Sequence, residues 1–158
     1  MIQINKSKTA DTRTAEGFVT KKELYESTVQ HVQDVSSAMS FFAQELLARA
    51  SVHDYTKLQP EFFMQYFHAF HKWQTEGFDA QDDWYDMHVT TERHHLNNHV
   101  PDDVTLIDIL ERISDISMAG MGRSGSVWMD KLPDEVLQKA YENTISLLVS
   151  KINVSEVE

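Results

Sequence analysis

The sequence predicts an all-α protein of about five or six helices, on three observations. No Gly or Pro occurs from Thr20 to Gln59. Apolar residues recur at helical intervals in several segments, and no segment alternates apolar and polar residues as a half-buried strand would. The length of 158 residues predicts a single domain with one core.

The first helix is expected to follow a polar arm. Residues 1–19 hold few apolar groups, so they are predicted to form a flexible arm before a helical domain over residues 20–158. Thr20 and Glu23 have the spacing of a capping box, which begins a helix. A long helix is expected to continue through Leu46.

Proline and glycine divide the rest of the chain. Pro60 is suited to a first helical turn, and the aromatic residues that follow it, up to Gly77, are expected in the core: Phe62, Phe63, Tyr66, Phe67, Phe70 and Trp73. The polar segment 79–103 is expected to be helical in its first half. Asp103 is predicted to cap a helix that ends at the glycine-rich turn 120–125, and Pro133 opens a terminal helix.

Composition limits the chemistry. The chain has no cysteine and eight histidines, six of them between His68 and His99, so a bound metal would need imidazole and carboxylate ligands. A net charge of −11 argues against general nucleic-acid binding or an anionic membrane surface. The sequence has no membrane span or secretory signal, so a cytoplasmic protein is expected.

Three groups of residues are candidates for a functional site. The first is the adjacent pair His53 and Asp54, which is able to bind one ion where the backbone turns; the alternative is a chance pairing. The second is the set of four histidines within twelve positions, for which the alternative is a hydrophilic helix whose histidines face water: His88, His94, His95 and His99.

The third candidate group is acidic. Asp108, Glu111 and Asp115 share one helical face because they stand at positions i, i+3 and i+7. The alternative is a solvated acidic face on which Asp108 pairs with Arg112.

The order of these residues resembles the ligand order of the HD metalloenzyme superfamily. In that superfamily a helical bundle holds one or two metal ions through a His, a His-Asp pair, further His residues and a late Asp. The corresponding residues here are His31, His53, Asp54, His88, His94, His95 and Asp115. The resemblance implies an HD-domain-like helical bundle with a metal site.

The chain resembles more closely an uncharacterised family of small helical, HD-like proteins of bacteria and their phages. That family's pattern F-A-x-x-L-x-x-R-A-x-x-H-D-x-S-K-L is matched over residues 42–58, with Thr56 in place of Ser. Its H-x-x-x-N-x-H-H motif is matched from His88, with Glu92 in place of Asn. A third motif is carried by Glu111 and Asp115, with Ile in place of Trp at position 116. The resemblance implies a fold and a metal site without a substrate.

His31 poses a geometric conflict. If one straight helix continued through His53, the 22 residues from His31 to His53 would span about 33 Å at 1.5 Å per residue. Ligand atoms lie about 2 Å from their ion. His31 is therefore a ligand only if the chain turns back, near Ser36 and Ser37.

The predicted site favours phosphate chemistry. One or two divalent ions, among Mn, Fe, Co, Ni and Zn, suit these ligands and would promote hydrolysis of a small phosphorylated substrate such as a nucleotide. Lys57 and Arg123 are candidates to bind phosphate, and Glu111 is a candidate to orient a ligand histidine or to act as general base. The structural alternatives are a surface salt bridge for Lys57, a solvated loop position for Arg123 and a cation partner for Glu111.

Two other functions stay open. Some HD proteins use the same ligand order in dinuclear-iron oxygenases. A non-catalytic binding or dimerisation protein is the third possibility, because the aromatic stripe from Phe62 to Trp73 would serve a homodimer or another partner as well as a core.

Overall fold

The computed structural model describes residues 1–6, 17–79, 82–128 and 131–156. The described chain contains six helices and two short strands. The helices are α1 (Lys21–Val52), α2 (Tyr55–Leu58), α3 (Pro60–Glu76), α4 (Asp83–Thr91), α5 (Leu106–Ser124) and α6 (Asp134–Val149). The prediction of an all-α fold with about five or six helices is confirmed.

The strands were not predicted. Strand β1 (Ile2–Lys6) pairs in parallel with β2 (Ile152–Glu156), with Ile2 opposite Ile152, so the expectation that no segment forms a strand is wrong. Both strands alternate apolar and polar residues, with Ile2 and Ile4 in β1 and Ile152 and Val154 in β2, so the period-two pattern was present but only four residues long in each. β1 lies in the segment predicted as a flexible arm, and residues 7–16 of that arm lie outside the described residues.

The chain divides into two compact units. The first comprises Met1–Glu45 and Ile145–Glu158 and contains the paired strands. The second comprises Leu46–Thr144 and contains every predicted site residue except His31. Its buried apolar cluster is formed by Leu96, Val104, Ile109, Val136 and Ala140.

Three predicted helix starts are confirmed, including Pro133 directly before α6, and one is wrong. The Thr20 backbone N–H and hydroxyl both donate to Glu23 before α1, and Pro60 occupies the first turn of α3. The residue that precedes α5 is Thr105, not Asp103. Asp103 instead accepts a hydrogen bond from Arg93 at 2.9 Å.

The glycine-rich segment is helical rather than a turn. Helix α5 continues through Gly120 and Gly122 and ends at Gly125, whose φ of 70° is left-handed. Gly120 permits a close approach, because a Cβ there would lie 2.6 Å from the carbonyl oxygen of Ser126. Glycine in a helix interior costs only about 1 kcal/mol relative to alanine, so the helix tolerates both.

The aromatic face of α3 is only partly buried. Phe63, Phe67 and Phe70 are about half exposed, so the expectation that this face is core is wrong for these rings. Helix α3 packs against α2 and α4, which have four and nine residues and cover part of the face. Among the described helices, none combines the length and apolar character that a membrane crossing needs.

Candidate metal centre

The site is built around a reversal of the chain after α1. His53 and Asp54 lie between the end of α1 at Val52 and the start of α2 at Tyr55. Asp54 has a positive φ of 54°. No other non-glycine residue in the described ranges has a positive φ. Left-handed backbone is costly for residues with a Cβ, and Asp is one of the few that adopt it. Such strain is concentrated at functional sites.

A first group of potential ligands consists of His53, His94 and Asp115. One nitrogen or carboxylate oxygen from each lies within 4.8 Å of the others. The Nε2 atom of His53 is 3.8 Å from Asp115 Oδ1, and that of His94 is 3.9 Å from Asp115 Oδ2. These three residues come from the turn after α1, the loop after α4 and the middle of α5.

A second group consists of Asp54, His88 and His95, within the same 4.8 Å limit. His88 Nε2 lies 3.5 Å from Asp54 Oδ1 and 2.9 Å from His95 Nε2. His88 belongs to α4, and His95 lies in the loop that follows.

Asp54 adjoins both groups. Its Oδ1 lies 3.7 Å from His94 Nε2, and its Oδ2 lies 3.6 Å from His53 Nε2. A carboxylate has two oxygens with about four acceptor positions, so Asp54 is able to serve two ions at once. The arrangement therefore suits one or two divalent ions.

The hydrogen bonding supports a cation here. Asp54 Oδ1 and His94 Nε2 are both buried, and neither has a hydrogen-bond partner among the described residues. A buried polar atom left without a partner costs about 1–3 kcal/mol. A divalent ion would satisfy both atoms, and nitrogen and oxygen ligands suit Mn, Fe, Co, Ni and Zn.

Glu111 orients two histidines. Its Oε1 lies 2.9 Å from His53 Nδ1, within a hydrogen bond. The same oxygen lies 3.3 Å from His94 Nδ1, where the geometry does not meet that of a hydrogen bond. Burial alone would raise the pKa of Glu111, but its contacts with these histidines hold the pKa below the usual value. With Nδ1 directed at Glu111, each ring keeps Nε2 for the centre.

Arg49 completes this side of the site and was missed in the sequence. Its Nε lies 3.5 Å from Glu111 Oε2, and it also pairs with Asp108. Arg49 lies in the last turn of α1 and occupies the Arg position of the motif over residues 42–58, which is the signal that would have found it.

A second orienting contact involves Thr56 and Glu92. Glu92 Oε1 accepts hydrogen bonds from the Thr56 backbone N–H at 3.0 Å and from its hydroxyl at 2.7 Å. The same hydroxyl lies 2.8 Å from His88 Nδ1. Because the hydroxyl proton is directed at Glu92, its oxygen accepts from Nδ1–H of His88, and the lone pair of Nε2 faces the second group.

The two histidines of the second group are neutral at physiological pH. Burial and the charge of Lys57 lower the pKa of His88 to about 4. Burial, with His94 and His88 nearby, lowers the pKa of His95 to about 3. Metal binding requires unprotonated imidazole, so both rings are in the ligand form at pH 7.

The predicted phosphate-binding residues lie on one cavity. Lys57 donates a hydrogen bond to Asp54 Oδ2. Arg123 lies in the last turn of α5, not in a loop as expected, with its guanidinium carbon 5.2 Å from the centre of the Trp128 ring. Both residues line a cavity of about 550 Å³ that also includes His88, His95 and Asp115.

The predicted acidic face is partly buried, and His31 lies outside the site. Asp108 and Glu111 are buried, so the alternative of a solvated acidic face is wrong for them. Helix α1 is continuous through Ser36 and Ser37, so the turn that His31 would need is absent. His31 is exposed and belongs to neither ligand group in the described part of the chain.

The fold and this cluster together define a small all-α protein with a partly buried histidine–carboxylate centre. The chain belongs to the DUF5662 family, a family of unknown function, whose model matches residues 20–152. No curated protein and no solved structure matches it. The prediction of an uncharacterised family is thereby confirmed, and the HD relationship stays a prediction.

Proposed function

We propose that this protein is a metal-dependent phosphohydrolase of the HD type, acting on a small phosphorylated substrate. The observation that carries the proposal is the position of Asp54 between two histidine-containing ligand groups. The cavity beside the second group holds two cationic side chains, Lys57 and Arg123. Ligands for divalent ions and cations for phosphate therefore adjoin one another.

Divalent ions held by these groups would lower the pKa of a bound water and offset the negative charge of phosphate. In the reaction, a water oxygen forms a new bond to phosphorus, the ester P–O bond breaks, and the leaving oxygen takes up a proton. Lys57 and Arg123 contribute donors to the phosphate oxygens, Lys57 as a compact charge and Arg123 as a planar fork.

Glu111 acts as a positioning residue rather than as the general base. It is 8% exposed, and its Oε1 is directed at His53. A general base must reach the water that it deprotonates, whereas the Oε1 atom of Glu111 faces the Nδ1 atoms of His53 and His94. The sequence left both roles open, and the contacts favour orientation.

The test combines elemental analysis with activity. Protein purified without a histidine tag is reconstituted with Mn, Fe, Co, Ni or Zn, and phosphate release is measured on a panel of phosphate esters. Asp54→Asn should lose both metal and activity while keeping a side chain that tolerates left-handed backbone. His68→Ala and His71→Ala are matched controls, because these histidines are exposed on α3 and should change neither. Failure to bind stoichiometric metal after reconstitution would refute the proposal.

A dinuclear-iron oxygenase is the second candidate, favoured by a separate cavity. This cavity of about 290 Å³ borders His53, Glu111 and Asp115, and most of its remaining surface comes from Leu46, Ala50 and Met118, with Arg49 and Ser114 also present. An apolar space beside metal ligands suits an uncharged substrate better than phosphate. Two irons per chain with a visible absorption band, and no phosphate release, would favour this candidate.

The proposal also includes a place and partners for the protein. We expect it in the bacterial cytoplasm, or in the host cytoplasm if a phage encodes it, without a membrane or general nucleic-acid partner. A homodimer is compatible with the exposed rings on α3. Non-catalytic binding would be the remaining explanation if neither metal nor activity were found.

A further inference from the structure

The cavity of about 550 Å³ beside the second ligand group is lined mainly by aromatic rings. Its volume lies in the range of small-molecule sites, about 300–1,000 Å³. All three tryptophans of the chain, Trp73, Trp84 and Trp128, border it. The rings come from α3, α4 and the segment after α5, so three parts of the second unit converge on one space.

Several of these rings are not explained by core packing. Phe70 is 47% exposed, Phe78 is 62% exposed and Trp128 is 41% exposed. Water contact with so much aromatic surface is unfavourable, and its removal by a ligand would be favourable. Phe63 and Phe67 are exposed to a similar degree without bordering the cavity. The cavity is distinguished instead by the convergence of seven aromatic side chains on one space: Tyr66, Phe70, Trp73, Phe78, Trp84, Tyr85 and Trp128.

Two rings also carry unused hydrogen-bond donors. The indole N–H groups of Trp73 and Trp84 are buried, and neither has a partner within the described ranges. Tryptophan N–H groups usually find a partner when buried. A ligand with acceptor atoms on a flat ring is able to supply one if the indole rings adjust.

The cavity is polar at the side that borders the ligand groups. His88, His95 and Asp115 lie there, and Lys57 and Arg123 provide positive charge. A molecule that occupies the cavity would therefore place an anionic group near the metal ligands and an aromatic group among the rings.

From this combination we propose that the aromatic cavity binds the base of a nucleoside phosphate, while the phosphate lies in the same cavity beside Lys57, Arg123 and the metal ligands. The assignment of the phosphate end rests on the proposed function; the assignment of the ring end rests on the cavity alone. Stacking on aromatic side chains is tolerant of base identity because every base has a π-face. The inference therefore names a nucleoside phosphate and excludes phosphorylated sugars and aliphatic phosphates as preferred ligands.

Binding of the base is measurable without turnover. Metal-free full-length protein is titrated with purine and pyrimidine nucleosides and with their monophosphates, and intrinsic fluorescence is recorded. All fluorescence from tryptophan arises at this cavity, since its three tryptophans are the only ones in the chain. At least one nucleoside should quench it saturably, and ribose phosphate should bind at least about tenfold more weakly than the corresponding nucleoside monophosphate.

Helix α3 offers a matched pair of variants. Phe70→Ala removes a ring at the cavity, and Phe67→Ala removes a ring of similar exposure, 49% against 47%, that does not border it. Stacking on one aromatic side chain contributes about five- to a hundredfold in affinity. Phe70→Ala should therefore weaken nucleoside binding at least about fivefold, and Phe67→Ala should leave it unchanged.

The outcomes separate the two proposals. Equal affinity for ribose phosphate and nucleoside monophosphate, or equal effects of Phe70→Ala and Phe67→Ala, would overturn the base-binding inference even if the protein hydrolyses phosphate esters. Saturable nucleoside binding that depends on Phe70, in a protein that releases no phosphate with any metal, would support the cavity and refute the phosphohydrolase.

Discussion

The hydroxyl oxygen of Thr56 lies 2.8 Å from Nδ1 of His88, within a buried contact that also includes Glu92. This contact fixes which nitrogen of His88 carries the proton, because Glu92 takes the hydroxyl proton. Thr56, which belongs to neither ligand group, thereby determines whether Nε2 of His88 presents a lone pair to the second group.

Replacing Thr56 by Val should weaken metal binding at the second group. Valine keeps the shape but removes the oxygen that accepts from His88, and loss of an outer-shell partner lowers metal affinity by about 10–100-fold. Thr56→Ser keeps the hydroxyl and should bind metal nearly as the wild type does. Calorimetric titration with Zn²⁺ or Mn²⁺ measures both, and equal affinities for the Val and Ser variants would contradict the role.

Glu111→Gln should weaken the first group in the same way. The amide has no negative charge and one acceptor oxygen, so His53 loses the carboxylate that accepts from its Nδ1, and His94 loses the negative charge 3.3 Å from its Nδ1. We expect an affinity loss of about 10–100-fold for one ion, with the second group retained. Loss of only catalytic rate, with both ions bound at wild-type affinity, would point instead to a general base.

Asp108 should stabilise the fold in a pH-dependent manner. Burial alone would raise its pKa, but hydrogen bonds from Arg93 at 2.7 and 3.0 Å, and from Thr105, lower the pKa below the ordinary value. A carboxyl whose folded-state pKa is lowered contributes stability above its unfolded pKa of about 3.9 and loses it as pH falls through the folded value.

Asp108→Asn should therefore reduce the free energy of unfolding by about 1–3 kcal/mol at pH 7. The difference from wild type should narrow below about pH 4. Urea unfolding across this range measures it, and a difference that stays constant with pH would show that the charge of Asp108 contributes nothing.

Two glycines of α5 should respond oppositely to alanine. A Cβ on Gly120 would lie 2.6 Å from Ser126 O and 2.9 Å from Trp128 N, and both are backbone atoms. Gly120→Ala should destabilise the protein by about 1–3 kcal/mol and shift tryptophan fluorescence as the segment at Trp128 moves. Gly122 has open space where its Cβ would be, so Gly122→Ala should stabilise by about 0.5–1 kcal/mol. If Gly120→Ala and Gly122→Ala both destabilised the protein, the cause would be a change in α5 itself rather than the close approach of residues 126–128 to Gly120.

Local chemistry made part of the fold predictable. Thr20, Glu23 and Pro60 define helix starts through contacts within three residues or through the proline ring itself, and these starts are observed. The parallel pairing of β1 with β2 depends on residues 150 positions apart, so no local pattern indicates it.

The potential metal ligands were predictable from the sequence, but the residues that hydrogen-bond to them were not. The order of His and Asp residues indicated the residues that the structure brings together, except His31. Thr56 and Glu92 are 36 residues apart, and each appeared only as a departure from a motif. Asp108 resembled a surface acid because its helical spacing carries no information about Arg93, which lies on another segment.

The number of ions bound per chain tests the central claim most directly. Protein reconstituted with Mn²⁺ or Zn²⁺ and freed of excess ion should contain up to two ions by elemental analysis. His88→Ala should retain the ion of the first group, whereas Asp54→Asn should lose both, because Asp54 Oδ1 faces His88 of the second group and His94 of the first. Unchanged metal content in Asp54→Asn, or no stoichiometric metal in the wild type with any of the five metals, would contradict the account.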